Sequence, residues 1–407
     1  MHKLNIAIFL TALVVFAVLI LILPSDPHAP AFENRVMESF PSVYAQNFIS
    51  GEFFGGLESY LLDNAAFRTN LLTFGNIVEH SYGIRLPGGA TVVDFDAKDL
   101  GYGLAPLLYE EIDPAHTIIG SPVDPLQPFG VDKHFNEHAI FYLRYRENRD
   151  AATRYAEVLN AYKAELPDNV RVFSMLAPVK VEFMGARYAA VNSSQLETIQ
   201  FINGLLDDRI ITVDAHSILE ENAHEYIFFR TDHHWTAIGA YFAYLAFAQA
   251  AGFSPITIEN YSEYIIGGFL GSLAVGTRNR TILEHPDTIH FYKINDGTTF
   301  STELFIIPVD LSAACYRIFL GGDVAINHFT SSNQNGRTLM VIKDSFANAL
   351  VPWIAPHYEH IVKIDPRQFT GSVMDIIEEF ENIDLLFVNY MPATAMPELI
   401  EQIYAAR

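Results

Sequence analysis

Short apolar runs rich in β-branched residues alternate with helical patterns over much of the chain after residue 150, and this alternation is the strongest constraint on the fold. Runs of this kind are typical of strands buried on both faces, and strands separated by helices usually run parallel. The pattern therefore predicts an α/β fold with a parallel central sheet. The expected strands are 170–176, 210–213, 338–342, 360–364 and 384–388, and the expected helices are 150–165, 194–206, 236–251, 346–354, 371–380 and 396–405.

Size and charge exclude several classes of protein. The 407 residues are enough for one large domain with an appendage. Lysine and arginine total 25 against 48 aspartate and glutamate residues, and the formal net charge of -23 disfavours binding to nucleic-acid phosphates. Cys315 is the single cysteine, which excludes an intrachain disulfide and a cysteine-based zinc cluster.

An apolar stretch near the N-terminus predicts a membrane anchor. From Ile6 to Leu23 it has 18 residues with one threonine and no charge, and it would span roughly 27 Å as a helix. Lys3 precedes it and acidic residues follow it, so the positive-inside rule places the bulk of the chain outside the cytoplasm. A cleaved signal peptide is the alternative, but the stretch is long and leads into Pro24 without a small-x-small site.

The rest of the chain divides into a linker region and one large domain. Three prolines between residues 24 and 30 predict a stiff linker, and the spacing of Phe53, Leu57 and Leu61 predicts a helix. Many Gly, Pro and Asp residues before residue 150 predict irregular structure. The predicted parts are a transmembrane signal anchor over 1–24, a linker and helical region over 25–84, and the α/β domain over 85–407 with an irregular insertion over about 85–150.

Ligands in open α/β sheets bind beyond the carboxyl ends of strands, so polar residues near those ends are candidates for chemistry. Lys180 follows the first expected strand, although it can equally be a solvated loop residue. Asp232 and His234 stand directly before the helix 236–251, and a carboxylate can orient a histidine that acts as a general base. In an extended segment residues i and i+2 share a side, which favours pairing of Asp232 with His234 and leaves His233 the less important histidine.

Two other interpretations of this segment stay open. Thr231 or Asp232 would serve as an N-cap of the following helix with no catalysis involved. Asp232, His233 and His234 would alternatively bind a metal, but adjacent histidines seldom face one ion and no further ligand spacing is present. We therefore expect neither a metal nor a cofactor.

Ser345 lies where an expected strand turns into an expected helix. This placement exposes a hydroxyl and sets backbone N–H groups and the helix dipole beside any oxyanion that forms. A serine N-cap has the same geometry. Pairing with Asp232 and His234 favours the nucleophile, because the members of such a triad converge whatever their order in the sequence.

The segment 231–240, which reads TDHHWTAIGA, resembles the signature of the DHHW protein family, and this family is similar to the SGNH hydrolase-like alginate O-acetyltransferases with their Asp-x-His-Trp motif. The resemblance implies an SGNH hydrolase-like three-layer sandwich. It also implies Ser345 as nucleophile, His234 as base and Asp232 as its orienter, with O-acetyl chemistry on a surface polysaccharide. Further segments that carry the resemblance are 33–35, 41, 63–68, 319–323, 342–348 and 355–358.

One departure concerns the oxyanion hole. SGNH enzymes usually have Gly-Asp-Ser, whereas Lys343 precedes Asp344 and Ser345 here. The donors we predict are the backbone N–H of Ser345 with Asn348 or Asn389. Further candidates for contact with the substrate are Lys180, Arg230, His233 and Trp235.

Two hypotheses follow. The first is an extracytoplasmic, membrane-anchored O-acyltransferase, more specifically an O-acetyltransferase, or an acetylesterase acting on a cell-surface polysaccharide. Transfer outside the cell needs an acyl donor, and the resemblance implies a multipass membrane acyltransferase as partner. The second is a non-catalytic surface module of the same fold that binds a glycan or a partner protein.

Overall fold

Most of the expected α/β domain falls within the part of the chain that the computed structural model describes. The described residues are 40–44, 47–48, 52–63, 142–143, 145–185, 189, 192–277, 285–307 and 316–407. The anchor expected from Ile6 to Leu23, the proline linker and nearly all of the insertion expected over 85–150 lie outside them. Among the helices of the described residues, none is both long and apolar enough to cross a membrane.

The strands of the described residues agree closely with the apolar runs in the sequence. The two runs at 210–213 and 360–364 have the predicted bounds, and the other three differ by one or two residues. The strands are β1 (Arg171–Ala177), β2 (Ile210–Val213), β3 (Tyr261–Phe269), β4 (Asp287–Ile294), β5 (Ile326–Thr330), β6 (Thr338–Lys343), β7 (His360–Ile364) and β8 (Ile383–Tyr390).

Six of these strands form a mostly parallel central sheet in the order β2-β1-β8-β6-β7-β5. The β1–β2, β1–β8, β6–β8 and β6–β7 pairs are parallel, as predicted. All residues of β6 and β8 are buried, which explains their nearly continuous apolar sequences. The edge strand β5 is antiparallel to β7. Its sequence INHFT is partly exposed and lacks the apolar run that marks a buried strand.

The helices precede, connect and follow the strands. They are α1 (Glu52–Asp63), α2 (Arg149–Glu165), α3 (Gln195–Asn203), α4 (Ala215–Glu221), α5 (Ala237–Ala251), α6 (Ser272–Thr277), α7 (Ala347–Ile354), α8 (Val373–Ile377) and α9 (Pro397–Ala405). Helix α5 contacts α4 and α7, whereas α2 contacts α3 and α9. The helix expected over 371–380 is shorter than predicted. Short 3₁₀ turns occur at Lys180–Phe183, Ile258–Asn260, Tyr316–Ile318, Ala355–His357 and Met391–Ala395.

A separate antiparallel pair, β3 with β4, lies outside the central sheet. The sequence did not predict it, because half of β3 is exposed and its residues do not form a buried apolar run. The pair matters for the site because α6 follows β3 closely and β4 begins with Asp287, a fully buried carboxylate.

Candidate active site

Ser345 lies in a turn between the two central strands and α7. The backbone N–H of Asp344 donates to Val388 O at 3.2 Å. The Asp344 carboxylate accepts from the N–H groups of Phe346 at 3.0 Å and Tyr390 at 2.7 Å. Burial raises the pKa of this carboxyl group. These contacts fix the turn to the carboxyl ends of β6 and β8, where the sequence placed it.

The hydroxyl of Ser345 does not cap the helix. The N-cap position of α7 is occupied by Phe346, and no side chain caps it there. The Ser345 Oγ atom instead lies 2.6 Å from His234 Nε2. The alternative of a serine N-cap is therefore not what the structure has.

The histidines lie in a bent loop, residues 231–235, that precedes α5 and is not an extended segment. Asp232 Oδ1 accepts from the backbone N–H of His234 at 2.8 Å and lies 2.5 Å from His234 Nδ1. Asp232 Oδ2 accepts from the N–H of Ser272 at 2.7 Å. The expected pairing of Asp232 with His234 is present, although a bend and not strand alternation produces it.

The structure thus brings Ser345, His234 and Asp232 together in one hydrogen-bonded row. All three side chains are largely buried, with residue exposures of 7%, 6% and 3%. Burial alone would raise the pKa of Asp232, but the neighbouring imidazoles of His234 and His233 and the N–H donors lower it well below its ordinary value. The carboxylate therefore stays ionised beside the imidazole, which is the arrangement that a general-base histidine needs.

Aromatic rings hold His234 in place. Tyr316 stacks on the imidazole with ring centroids 3.8 Å apart and an angle of 5° between the planes, and Phe346 lies 5.1 Å away on a tilted plane. Because one edge of the ring contacts Asp232 and the other Ser345, these neighbours leave His234 little freedom to rotate. Nothing in the sequence around Tyr316 indicated this role.

The loop is also held by a buried carboxylate from β4. Asp287 accepts from the backbone N–H of Thr231 at 2.7 Å and from its Oγ1 at 2.6 Å, and it pairs with Arg230 Nε at 3.0 Å. The hydroxyl of Tyr226 also donates to it. Arg230, a predicted substrate contact, thus pairs with Asp287, and Thr231 donates to the same carboxylate. The N-cap of α5 is neither Thr231 nor Asp232 but Thr236, whose side chain accepts from the N–H of Gly239.

Lys180 and Trp235 also hold this loop in place. The Lys180 ammonium donates to the carbonyl oxygens of Phe229 at 2.8 Å and Arg230 at 3.3 Å, and it is not a solvated loop residue because its exposure is 3%. Burial lowers its pKa to about 8. Trp235 Nε1 donates to the carbonyl oxygen of Phe346 at 2.9 Å and so ties the loop to the serine turn. Both residues were predicted as substrate contacts, and the structure directs both at the backbone of the protein.

Asn348 and Asn389, the predicted side-chain oxyanion donors, are directed at other partners. Asn348 donates to Asp323 at 2.9 Å and accepts from Lys343 at 2.9 Å. Asn389 accepts from Tyr155 at 2.9 Å, and its Nδ2 donates to Asp344 Oδ2 at 3.4 Å. These contacts give both amides a structural role. The backbone N–H of Ser345, in contrast, makes no hydrogen bond within the described part of the chain and remains the better donor.

Two neighbours of Asp232, Gly271 and Ser272, were not predicted from the sequence. Ser272 supplies both an N–H to Asp232 and a hydroxyl 2.6 Å from His233 Nδ1. A β-carbon at Gly271 would collide with the Asp232 side chain, so only glycine permits this approach. Both residues lie about 40 positions along the chain from Asp232, and no local pattern connects them to it.

Asp232, His233 and His234 also form the group in the described residues whose ligand atoms could surround a cation, since these atoms lie within 4.8 Å of one another. Both oxygens of Asp232 and both nitrogens of His234, however, already have partners within the site. A cation there would have to displace these contacts.

Comparisons with known proteins find a family model that matches the chain and solved structures that are similar to it. The sequence model of the DHHW protein family matches residues 135–364. A DHHW family protein from Eubacterium siraeum is similar in structure, with a TM-score of 0.60 and 30% identity over 64% of this chain and 90% of that chain. Bacillus cereus PatB1 with a sulfonyl adduct gives 0.49 and 19% over 62% and 92%. The O-acetyltransferase domain of Pseudomonas putida AlgJ gives 0.35 and 12% over 65% and 94%. No curated protein matches the sequence.

Proposed function

The chain belongs to the DHHW protein family, and from this premise we propose that it is an O-acyltransferase, more specifically an O-acetyltransferase, or an acetylesterase of a surface polysaccharide. The observation that carries the proposal is the row of contacts from Asp232 through His234 to Ser345. The resemblance of the 231–235 loop to the Asp-x-His-Trp motif of alginate O-acetyltransferases supports acetyl as the group. The two separate helix groups around α2 and α5 support an SGNH hydrolase-like three-layer sandwich.

The chemistry has two steps. In the first, Ser345 Oγ attacks the carbonyl carbon of an acyl ester while His234 Nε2 takes the hydroxyl proton. The ester bond to the leaving alcohol then breaks, His234 returns the proton to that alcohol, and an acyl-serine remains. The ionised Asp232 stabilises the imidazolium during this step, and the backbone N–H of Ser345 faces the negative charge on the former carbonyl oxygen.

In the second step, His234 takes the proton of an incoming hydroxyl, whose oxygen attacks the acyl-serine. The acyl–Oγ bond breaks and His234 protonates Ser345 again. A sugar hydroxyl in this step gives a transferase, and water gives an esterase. Both outcomes use the same three residues, so the acceptor decides the activity.

The setting of this chemistry is also part of the proposal. The apolar stretch from Ile6 to Leu23 would anchor the chain in the cell membrane, with the bulk of it extracytoplasmic. A multipass membrane acyltransferase would supply the acyl group, and a neutral or weakly charged polysaccharide would accept it, since the net charge of -23 repels polyanions. Protease added to intact cells should remove residues after Pro24 and spare cytoplasmic proteins. Full protection of residues 31–407 in cells with an accessible outer face would contradict the topology.

Covalent labelling tests the nucleophile directly. A fluorophosphonate should label the wild-type protein at Ser345, and Ser345→Ala should abolish the label while the melting temperature stays close to that of the wild type. Hydrolysis of p-nitrophenyl acetate should disappear in the same variant. Folded wild-type protein that takes no label and turns over no ester would overturn the enzyme and favour the binding module.

A further inference from the structure

One ring nitrogen of His233 has no hydrogen-bond partner within the described part of the chain. Its residue exposure is 5%, and its Nδ1 lies 2.6 Å from Ser272 Oγ. Its Nε2 atom is buried and has no hydrogen-bond partner in the described part of the chain. A buried polar atom left without a partner costs free energy, typically about 1–3 kcal/mol. Such an atom beside a reacting serine indicates a partner that arrives with the substrate.

The orientation of the ring shows where this nitrogen points. The rings of His233 and His234 lie side by side, with centroids 3.8 Å apart and planes inclined by 37°. Both rings present Nδ1 to the same oxygen, Asp232 Oδ1, at 3.7 Å and 2.5 Å. Nε2 lies on the far side of an imidazole from that edge, and in His234 it meets Ser345 Oγ. His233 Nε2 therefore points in the same direction, toward the serine side of the site.

The protonation of His233 follows from its neighbours. Burial and the nearby His234 lower its pKa to about 3, so the ring is neutral at physiological pH. The carboxylate of Asp232 and the oxygen of Ser272 both face Nδ1, which favours the tautomer with the proton on Nδ1. In that tautomer Nε2 carries a lone pair, and it accepts a hydrogen bond.

We propose that His233 Nε2 accepts a hydrogen bond from a second hydroxyl of the acceptor, next to the hydroxyl that His234 deprotonates, and so selects acceptors with vicinal hydroxyl groups. Two acceptor nitrogens on neighbouring imidazoles, whose ring centroids are 3.8 Å apart, match two neighbouring hydroxyls of a pyranose ring. This inference rests on the proposed function and specifies its acceptor class. His233 is a substrate-positioning residue here, because His234 alone takes the proton that moves in the transfer step.

A matched pair of small acceptors tests this on the wild-type protein. Ethylene glycol has a neighbouring O–H, and its monomethyl ether keeps the adjacent oxygen but cannot donate. With p-nitrophenyl acetate as acyl donor, p-nitrophenol release measures acylation of Ser345, and acetylated acceptor against free acetate measures partitioning. After correction for the two equivalent hydroxyls of the glycol, transfer to it should exceed transfer to the ether by about three- to tenfold. Equal transfer would overturn the inference.

A variant then assigns the preference to His233. His233→Phe keeps a planar ring and removes both nitrogens, and it should bring the glycol-to-ether ratio to about one whatever happens to the overall rate. His233→Leu is the second variant if the first does not fold, and His224→Leu, at an exposed histidine, should keep the wild-type ratio. A folded His233 variant that keeps the ratio would overturn the inference alone. A wild-type protein that releases no p-nitrophenol would instead overturn the proposed function and the inference with it.

Discussion

The serine turn and the histidine loop form one site but are held in different ways. The turn at Ser345 is fixed by the sheet, because Asp344 bonds the backbone at the end of the neighbouring strand β8 and the N–H of Phe346. The 231–235 loop lies on no strand and depends on side chains from distant parts of the chain, above all Asp287 and Lys180. The sheet therefore places Ser345, whereas the positions of Asp232 and His234 also depend on specific polar contacts.

Ser345 and His234 act as one unit, so removing either side chain should have a very large effect on ester turnover. Ser345→Ala and His234→Ala should each lower ester turnover by at least about 10³-fold, and the double variant should be no worse than either single one. The steady-state rate with p-nitrophenyl acetate measures this, and circular dichroism melting checks the fold. Multiplying losses in the double variant would mean that the serine and the histidine act independently.

Replacing one buried carboxylate in each half of the site tests the difference between the halves. Asp287→Asn should cost about 3–5 kcal/mol of unfolding free energy, because it removes the buried negative charge that faces Arg230 and disturbs the donors of Thr231. Asp344→Asn is the matched change in the serine turn. It should cost only about 1–2 kcal/mol, since the donors to Asp344 are neutral N–H groups. Urea unfolding measures both, and equal costs would erase the distinction between the halves.

The same distinction explains what the sequence predicts. The strands β6 and β8 are apolar runs, and Ser345 follows one of them, so both the mostly parallel sheet and the place of the serine could be predicted from local pattern. Asp232 and His234 are two positions apart, and their pairing was also predictable. Strand alternation was nevertheless the wrong geometry, because a bend in which Asp232 accepts from the His234 N–H brings the two side chains together.

The contacts that hold the loop could not be predicted in this way. Asp287 is 56 residues from Thr231, and Tyr316 stacks on His234 from a segment with no motif of its own. Lys180, Arg230 and Trp235 attracted attention as polar or aromatic residues near the site. Lys180 donates to the backbone just before the loop, Arg230 to Asp287 and Trp235 to the serine turn, and these partners depend on tertiary structure, which no local pattern encodes.

The pH dependence of stability should show that His233, one of two buried histidines in the loop, is held neutral by the fold. The pKa of His233 falls from its ordinary value near 6.5 to about 3 on folding. Below about pH 6.5 the unfolded chain therefore binds a proton that the folded protein does not, and stability falls as the pH falls. At pH 5 this loss amounts to about 2 kcal/mol.

Other groups also titrate, so the measurement is a difference between variants. The unfolding free energy should drop by about 2 kcal/mol less between pH 7 and pH 5 in His233→Leu than in the wild type. His224→Leu, which removes an exposed histidine, should follow the wild type. Parallel pH curves for His233→Leu and the wild type would show that His233 is not held neutral.

A smaller effect is expected from the hydrogen bond that joins the loop to the backbone of the serine turn. The protein has two tryptophans, and both are buried hydrogen-bond donors. Trp235, just before α5, donates from Nε1 to Phe346 O at 2.9 Å. Trp353 donates from Nε1 to Ala237 O, at the start of α5, at 3.0 Å. Replacing either by phenylalanine removes one such bond and a similar volume, at about 1 kcal/mol for the bond. Of these two tryptophans, Trp235 is the one whose hydrogen bond links the histidine loop to the serine turn. Trp235→Phe should therefore lower ester turnover several-fold, while Trp353→Phe, at a similar loss of stability, should leave it near the wild-type rate. Equal turnover in the two variants would mean that the sheet alone keeps Ser345 in register with His234.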